Sequence, residues 1–242
     1  MANSFFQFKQ FTIHQDRCAM KVTTDGCLFG AWIAREILTT HPVPQNMLDI
    51  GTGTGLLTLM VAQKHSPLII DAVEIDKQAY LQALDNIRKS EFPNKIYLAN
   101  EDILAFSTER KYDLITCNPP FYEKEIRSDS AQKNIAHHGD GLQLEELLRW
   151  IKGRLTANSN FYLLLPFKRN KEIELLFKKS QLHIKKKVLV RQSVNHDHFR
   201  IMLSGALYND SPLIETEMAI KDEKGNYTTE FSKLLKDYYL HL

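Results

Sequence analysis

Met47-Leu48-Asp49-Ile50-Gly51-Thr52-Gly53-Thr54-Gly55 decides the architecture. Its first four residues read as a short buried strand, its three alternate glycines as a turn, and the apolar run from Leu56 to Lys64 as the helix that follows. Strand, glycine turn and helix in direct succession make a nucleotide-binding unit, because glycine admits close backbone approach and the helix start offers free N–H groups. A dinucleotide fingerprint would need a third glycine where Leu56 stands, and a phosphate-cradling P-loop would need Lys followed by Ser or Thr. Neither is present. The spacing Asp-x-Gly-x-Gly-x-Gly instead sets the Asp49 carboxylate at a strand end beside Gly51, Gly53 and Gly55, which suits a ligand carrying a cationic amino group.

S-adenosylmethionine is a ligand of that kind, and the flanking segments continue the same reading. Leu68 to Val73 is a second apolar strand that closes with Glu74, 23 residues after Gly51, where a carboxylate can accept from both ribose hydroxyls. After a helix from Lys77 to about Ser90, Lys95 to Ala99 is a third strand, with Asp102 just beyond it to accept from an adenine amino group. Tyr112 to Cys117 is a fourth strand, ending at Asn118-Pro119-Pro120-Phe121. Two prolines fix the backbone and give up two N–H groups, so an Asn amide oxygen, a Pro119 carbonyl and an aromatic face stand side by side. That set fits a planar molecule with an exocyclic NH2: two acceptors take its hydrogens while its ring stacks on Phe121. In a doubly wound sheet all four strand ends share one crevice.

The remaining chain fits an α/β, doubly wound, Rossmann-like sheet, mostly parallel with a C-terminal antiparallel pair, plus a small N-terminal strand and helix extension over residues 1–40. Phe5 to Ile13 suggests a strand or hairpin. Thr24 or Asp25 would cap a helix reaching about Leu38, and spacing alone does not separate capping from ligand binding for Asp25. Helices are expected over 144–155, 167–179 and 229–240, and strands over 161–165, 182–191 and 199–208. Residues 209–224 are expected to be a loop with a short strand. Residues 122–143 form a long polar connection in which Lys124, Arg127 and Lys133 could meet phosphates. Net charge is only +2, but Lys168 to Arg200 holds ten Lys or Arg against three acids, a place for a polyanion or a solvated lysine-rich edge. Three widely spaced cysteines without a C-x-x-C pair argue against disulfides and zinc, and His137-His138 and His196-Asp197-His198 lack a third ligand at metal spacing. With no long apolar run, the expectation is a soluble, cytoplasmic monomer without metal.

Asp49 through Gly55, Glu74 and Asn118-Pro119-Pro120-Phe121, in that order, resemble the class I S-adenosylmethionine-dependent methyltransferases that act on exocyclic or amide nitrogens. More narrowly, Phe8-Lys9-Gln10-Phe11, the stretch Asp16 to Val22, Thr24-Asp25-Gly26, Gly30-Ala31-Trp32, Asn226-Tyr227-Thr228 and Tyr238-Tyr239-Leu240 resemble the bacterial tRNA1(Val) adenine-N6 methyltransferases, which modify position 37 beside the anticodon. The resemblance implies a methyltransferase domain over residues 41–242 and an anticodon-loop adenine as acceptor. Phe121 departs from the Tyr that the family favours, keeping stacking and losing a phenol. The Asn-Pro-Pro motif alone also fits protein glutamine N5 and ribosomal guanine-N2 methylation, and from another class a non-catalytic RNA-binding protein on the same fold.

Overall fold

The computed structural model describes residues 3–119, 143–208 and 211–242. At its centre β3 (Asn46–Ile50) runs parallel to β4 (Ile69–Val73) on one side and β6 (Tyr112–Cys117) on the other. Outward from β4 lies β5 (Ile96–Ala99). Outward from β6 lie β7 (Leu155–Pro166), β9 (His198–Ala206), β8 (His183–Ser193) and β10 (Ile214–Lys221), giving the order β10-β8-β9-β7-β6-β3-β4-β5. Only β9 runs antiparallel to its neighbours in this sheet. The chain steps outward from β3 to β4 and β5, then returns to the other side for β6 and β7. That reversal opens a crevice above the carboxyl ends of β3 and β6.

Alternation along the strands divides the core into two layers. Met47, Ile70, Leu114, Tyr162, Leu164, Val188 and Met202 face α1 (Thr24–Leu38), α2 (Leu56–Ala62) and α6 (Thr229–Leu235). Their neighbours Leu48, Ile115, Leu163, Leu165, Leu189, Ile201 and Leu203 face α4 (Leu144–Arg154) and α5 (Asn170–Ser180). Such two-sided burial is why these strands read as near-continuous apolar runs. Helix α1 lies close to α2 because residue 30 is glycine: a Cβ there would stand 2.6 Å from Met60 Sδ.

Several boundaries differ from the sequence reading: the terminal helix, expected over 229–240, ends at Leu235, and the helix expected over 167–179 begins at Asn170 after a short turn. The N-cap of α1 is Thr23, whose hydroxyl accepts from the Gly26 N–H at 3.2 Å, ahead of the expected Thr24 or Asp25. Strand β7 begins at Leu155, where α4 ends. Strand β10 is an eight-residue parallel edge strand; its acid-rich, exposed face reads as loop, yet it is matched across the ladder by Lys187–Glu215 at 3.2 Å and Arg191–Glu217 at 3.2 Å.

The N-terminal hairpin, β1 (Phe5–Gln7) and β2 (Thr12–His14), is antiparallel, as the alternation suggests. Asn86, on the inward face of α3 (Lys77–Lys89), fixes it in place. Its Oδ1 accepts from His14 N–H at 3.0 Å, while its Nδ2 donates to the His14 carbonyl at 2.8 Å and the Thr54 carbonyl at 2.9 Å. One side chain thereby joins hairpin, helix and glycine turn.

Candidate active site

The glycine turn is built by positive backbone angles. Gly51, Gly53 and Gly55 have φ of 66°, 57° and 83°, a region that costs L-residues with a side chain. A Cβ on Gly51 would meet nothing within 4 Å, so the outer face of the turn is open. Beneath it Asp49 is fully buried. Its Oδ2 accepts from Thr52 Oγ1 at 2.7 Å and Thr58 Oγ1 at 2.8 Å, and its Oδ1 from Thr116 Oγ1 at 2.9 Å. The sequence reading sets this carboxylate at the strand end to suit a ligand with a cationic amino group. In the structure three hydroxyls donate to its oxygens, so it ties β3, β6, the turn and α2 together beneath the turn. Burial pushes the Asp49 carboxyl above its ordinary range, against the opposing pull of the three hydroxyls.

Glu74, at the end of β4, stands beside the turn. Its Oε2 accepts from Gly53 N–H at 2.8 Å and its Oε1 from Asp76 N–H at 2.9 Å. Each oxygen retains acceptor capacity, as two ribose hydroxyls require. Burial raises this carboxyl too, outweighing those two backbone donors. Cys18 lies close enough for Glu74 and Asp76 to help raise its thiol to about 11, after burial, the largest cause. The segment after β2 therefore borders the Glu74 side of the crevice, anchored by Gln82 Oε1, which accepts from Arg17 N–H at 3.2 Å. Two carboxylates flank the place where a phosphate would sit, so the donor set fits a cationic nucleoside and disfavours a polyphosphate.

Asp102 follows β5 at the surface, its Oδ1 accepting from Leu104 N–H at 2.9 Å to start a turn. Asn118 closes β6. Its Oδ1 is buried and has no hydrogen-bond partner among the described residues. Pro119 is partly buried; Pro120, Phe121, Lys124, Arg127, Lys133 and the pair His137-His138 lie outside the described residues. Asp25 occupies the first turn of α1, where its Oδ2 accepts from Arg200 Nε at 2.8 Å. Arg200 is paired with Pro166 at the end of β7, so Asp25 joins the antiparallel side of the crevice, while the next residue, Gly26, borders Leu56 at the start of α2.

Lys185, Lys186 and Lys187, the densest part of the basic stretch, sit in the amino-terminal half of β8, towards the opposite edge of the sheet. Lys185 donates to Asn160 at 3.0 Å, Lys186 pairs with Glu36, and Lys187, 1% exposed, pairs with Glu174 at 2.6 Å and Glu215 at 3.2 Å. All three side chains are thus engaged by partners within the chain. Lys168, Arg169, Arg191 and Arg200 of the same stretch do lie at the carboxyl edge. Sequence reasoning missed Thr52, Thr58 and Thr116 around Asp49, and Gln82 and Asn86 on α3. The last two had a signal: they are polar residues at helical spacing among the inward Ala79 and Ala83.

Among the described residues no helix is long and apolar enough to cross a membrane, and no cluster of three or more His, Cys, Asp or Glu is placed to hold a metal. The methyltransferase small domain model matches residues 30–149. The chain is 37% identical over 241 residues to the tRNA1(Val) (adenine(37)-N6)-methyltransferase of Dyadobacter fermentans, covering 98% of each chain. It is 39% identical to that of Histophilus somni, covering 98% of this chain and 97% of that one. Among solved structures, a class I S-adenosylmethionine-dependent methyltransferase from Listeria monocytogenes superposes with a TM-score of 0.62 at 14% identity, over 92% of this chain and 72% of that one, a likeness of fold. Taken with the acid-led glycine turn and the four strand ends gathered in one crevice, these relatives show that the chain belongs to the tRNA1(Val) (adenine(37)-N6)-methyltransferase family, whose methyl donor is S-adenosylmethionine.

Proposed function

We propose that the protein methylates the exocyclic N6 of an adenine in the anticodon loop of a tRNA, position 37 of tRNA1(Val), in the cytoplasm. One observation carries the reading: the buried Asn118 Oδ1 at the carboxyl end of β6, an acceptor without a partner among the described residues. Burying an amide oxygen in that way costs about 1–3 kcal/mol, a cost that an arriving N–H donor relieves.

When bound, S-adenosylmethionine supplies the methyl group on a sulfonium. Gly51, Gly53 and Gly55 let the backbone approach it, Asp49 adds a fixed negative charge beneath, Glu74 accepts from the ribose hydroxyls, and Asp102 accepts from the adenine amino group. Asp25 acts on the acceptor side by holding Arg200. Asn118 Oδ1 and the Pro119 carbonyl take the two N6 hydrogens, drawing the nitrogen lone pair out of conjugation and aiming it at the methyl carbon. Pro120 keeps the backbone stiff there. As the N–C bond forms the methyl–sulfur bond would break, its electron pair going to sulfur to leave a neutral thioether, and the surplus proton on N6 would leave to solvent, so Asn118 needs no strong basicity. Phe121 stacks on the target base, worth about 1–3 kcal/mol, and helps offset its extrusion from the loop. Positioning of the two reactants and exclusion of water provide the rate. Lys124, Arg127 and the carboxyl-edge cations Lys168, Arg169, Arg191 and Arg200 meet the RNA backbone. The full-length relatives favour this reading over glutamine or ribosomal guanine methylation.

The test is transfer of labelled methyl from S-adenosylmethionine into tRNA from cells lacking the protein, followed by nucleoside analysis. N6-methyladenosine is expected. Label only in ribosomal RNA or in glutamine-bearing protein would overturn the assignment.

A further inference from the structure

A cavity of about 360 Å³ opens where the first turn of α1 meets the ends of β8, β9 and β10, lined by Thr24, Asp25, Gln192, Phe199, Lys221 and Tyr227, with Ile220 behind them. None of the residues that engage Asp49, Glu74 or the glycine turn belongs to it. Its volume is that of a small-ligand site, and its wall mixes two aromatic rings with an amide, a carboxylate and an ammonium. The wall is held firmly. Tyr227 stacks on Phe231 with ring centroids 4.5 Å apart and planes 18° apart, and it bridges back to Lys221. The loop between them is closed by Asp222, whose Oδ1 accepts from Lys224 N–H and Asn226 N–H at 2.9 Å each, and by Thr228 Oγ1, which donates to the Ala219 carbonyl at 2.7 Å.

Its position gives the cavity meaning. Gln192 near the end of β8 and Asn118 at the end of β6 lie on the same carboxyl edge, with β9 and β7 between them. Three strand spacings amount to ~14 Å, a span that an unstacked RNA strand crosses in a few nucleotides. The Arg200–Asp25 pair stands on the path between the two. We infer that this cavity receives the base of a second, flanking nucleotide of the same RNA strand, its ring against Phe199 or Tyr227 and its polar edge on Gln192, while Lys221 meets the adjoining phosphate. Aromatic platforms with polar groups at their rim are how single-stranded RNA bases are held. The inference rests on RNA being the substrate, and it adds a second anchoring point that selects loops able to splay two bases at once.

The experiment measures methyl transfer to anticodon stem–loop RNAs carrying an abasic residue at one loop position at a time, with the parent protein, Gln192→Trp and Lys221→Ala. In the parent, one abasic position other than the target raises KM for the RNA about tenfold. Gln192→Trp, which fills the cavity from an exposed strand end, raises KM for the intact RNA by a similar factor, and the abasic change then adds nothing further. Lys221→Ala raises KM and lowers the dependence on salt. The Kd for S-adenosylmethionine stays at the parent value in both variants. An unchanged KM in Gln192→Trp, or an abasic penalty of equal size in parent and variant, overturns the second site alone. A parent that methylates none of the RNAs overturns the substrate reading together with it.

Discussion

Replacing Asn118 separates the two consequences of a buried acceptor left without a donor. In the protein without RNA, Asn118 Oδ1 has no partner among the described residues, a condition that costs about 1–3 kcal/mol. Asn118→Leu keeps the branched shape of the side chain, at a somewhat larger volume, and removes the oxygen. The expected result is a gain of about 1 kcal/mol in unfolding free energy, which for a domain of this size raises Tm by about 2–4 °C. The same change removes the group that orients the N6 amine, and methyl transfer should fall by about 10²–10³, the loss seen when one preorganised polar contact to a reacting group is deleted. Cofactor affinity should hold, since Glu74 and the glycine turn are untouched. Differential scanning calorimetry and single-turnover transfer to tRNA under saturating S-adenosylmethionine read both quantities. A variant that loses more than about 1 kcal/mol of stability, or one that keeps its turnover, would refute the reasoning: the first by showing that the oxygen was bonded, the second by showing that it was not needed.

Glu74→Gln should weaken binding of S-adenosylmethionine by about tenfold or more in calorimetric titration, because one acceptor shared by Gly53 N–H or Asp76 N–H and a ribose hydroxyl becomes a donor. It should also change the pH dependence of the free protein. Burial raises the folded Glu74 carboxyl above its ordinary 4.5, so the protonated form is favoured by folding. Parent stability relative to Glu74→Gln should thus be greatest below pH 4.5 and decline as pH rises through the raised value; a flat difference would count against the burial argument. Lys185→Ala with Lys186→Ala should leave the salt dependence of RNA binding unaltered, whereas Lys168→Ala with Arg169→Ala should reduce its slope by about one to two. Gly30→Ala should cost about 1–3 kcal/mol in chemical denaturation, since its Cβ would stand 2.6 Å from Met60 Sδ.

What could be read from the residues follows from the range of the physics involved. Strand, turn and helix from Met47 to Lys64 are specified by neighbours in sequence, and the structure places them as read. So are Glu74 and Asn118, which mark where apolar runs stop. The cap of α1 moved by one residue because Thr23 and Thr24 offer the same hydroxyl, and only the emerging helix axis chooses between them. The three threonines around Asp49 come from the turn, α2 and β6; their convergence depends on strand order, which no local pattern encodes. The lysines of β8 leave two readings open for the same reason. A run of positive charge reads as a surface for anions until Glu174 and Glu215 arrive from other elements to neutralise Lys187.

The hairpin's attachment bears on how the chain emerges from the ribosome. Phe8 bridges to Tyr239, Lys9 N–H donates to the Tyr238 carbonyl at 2.8 Å, and Lys9 Nζ reaches the Lys236 carbonyl at 2.5 Å. Phe8, Phe11 and Ile13 belong to the same apolar layer as α1 and α6. That layer cannot close while residue 239 is still inside the exit tunnel, so Phe8, Phe11 and Ile13 await partners from a segment far along the chain before their layer is complete.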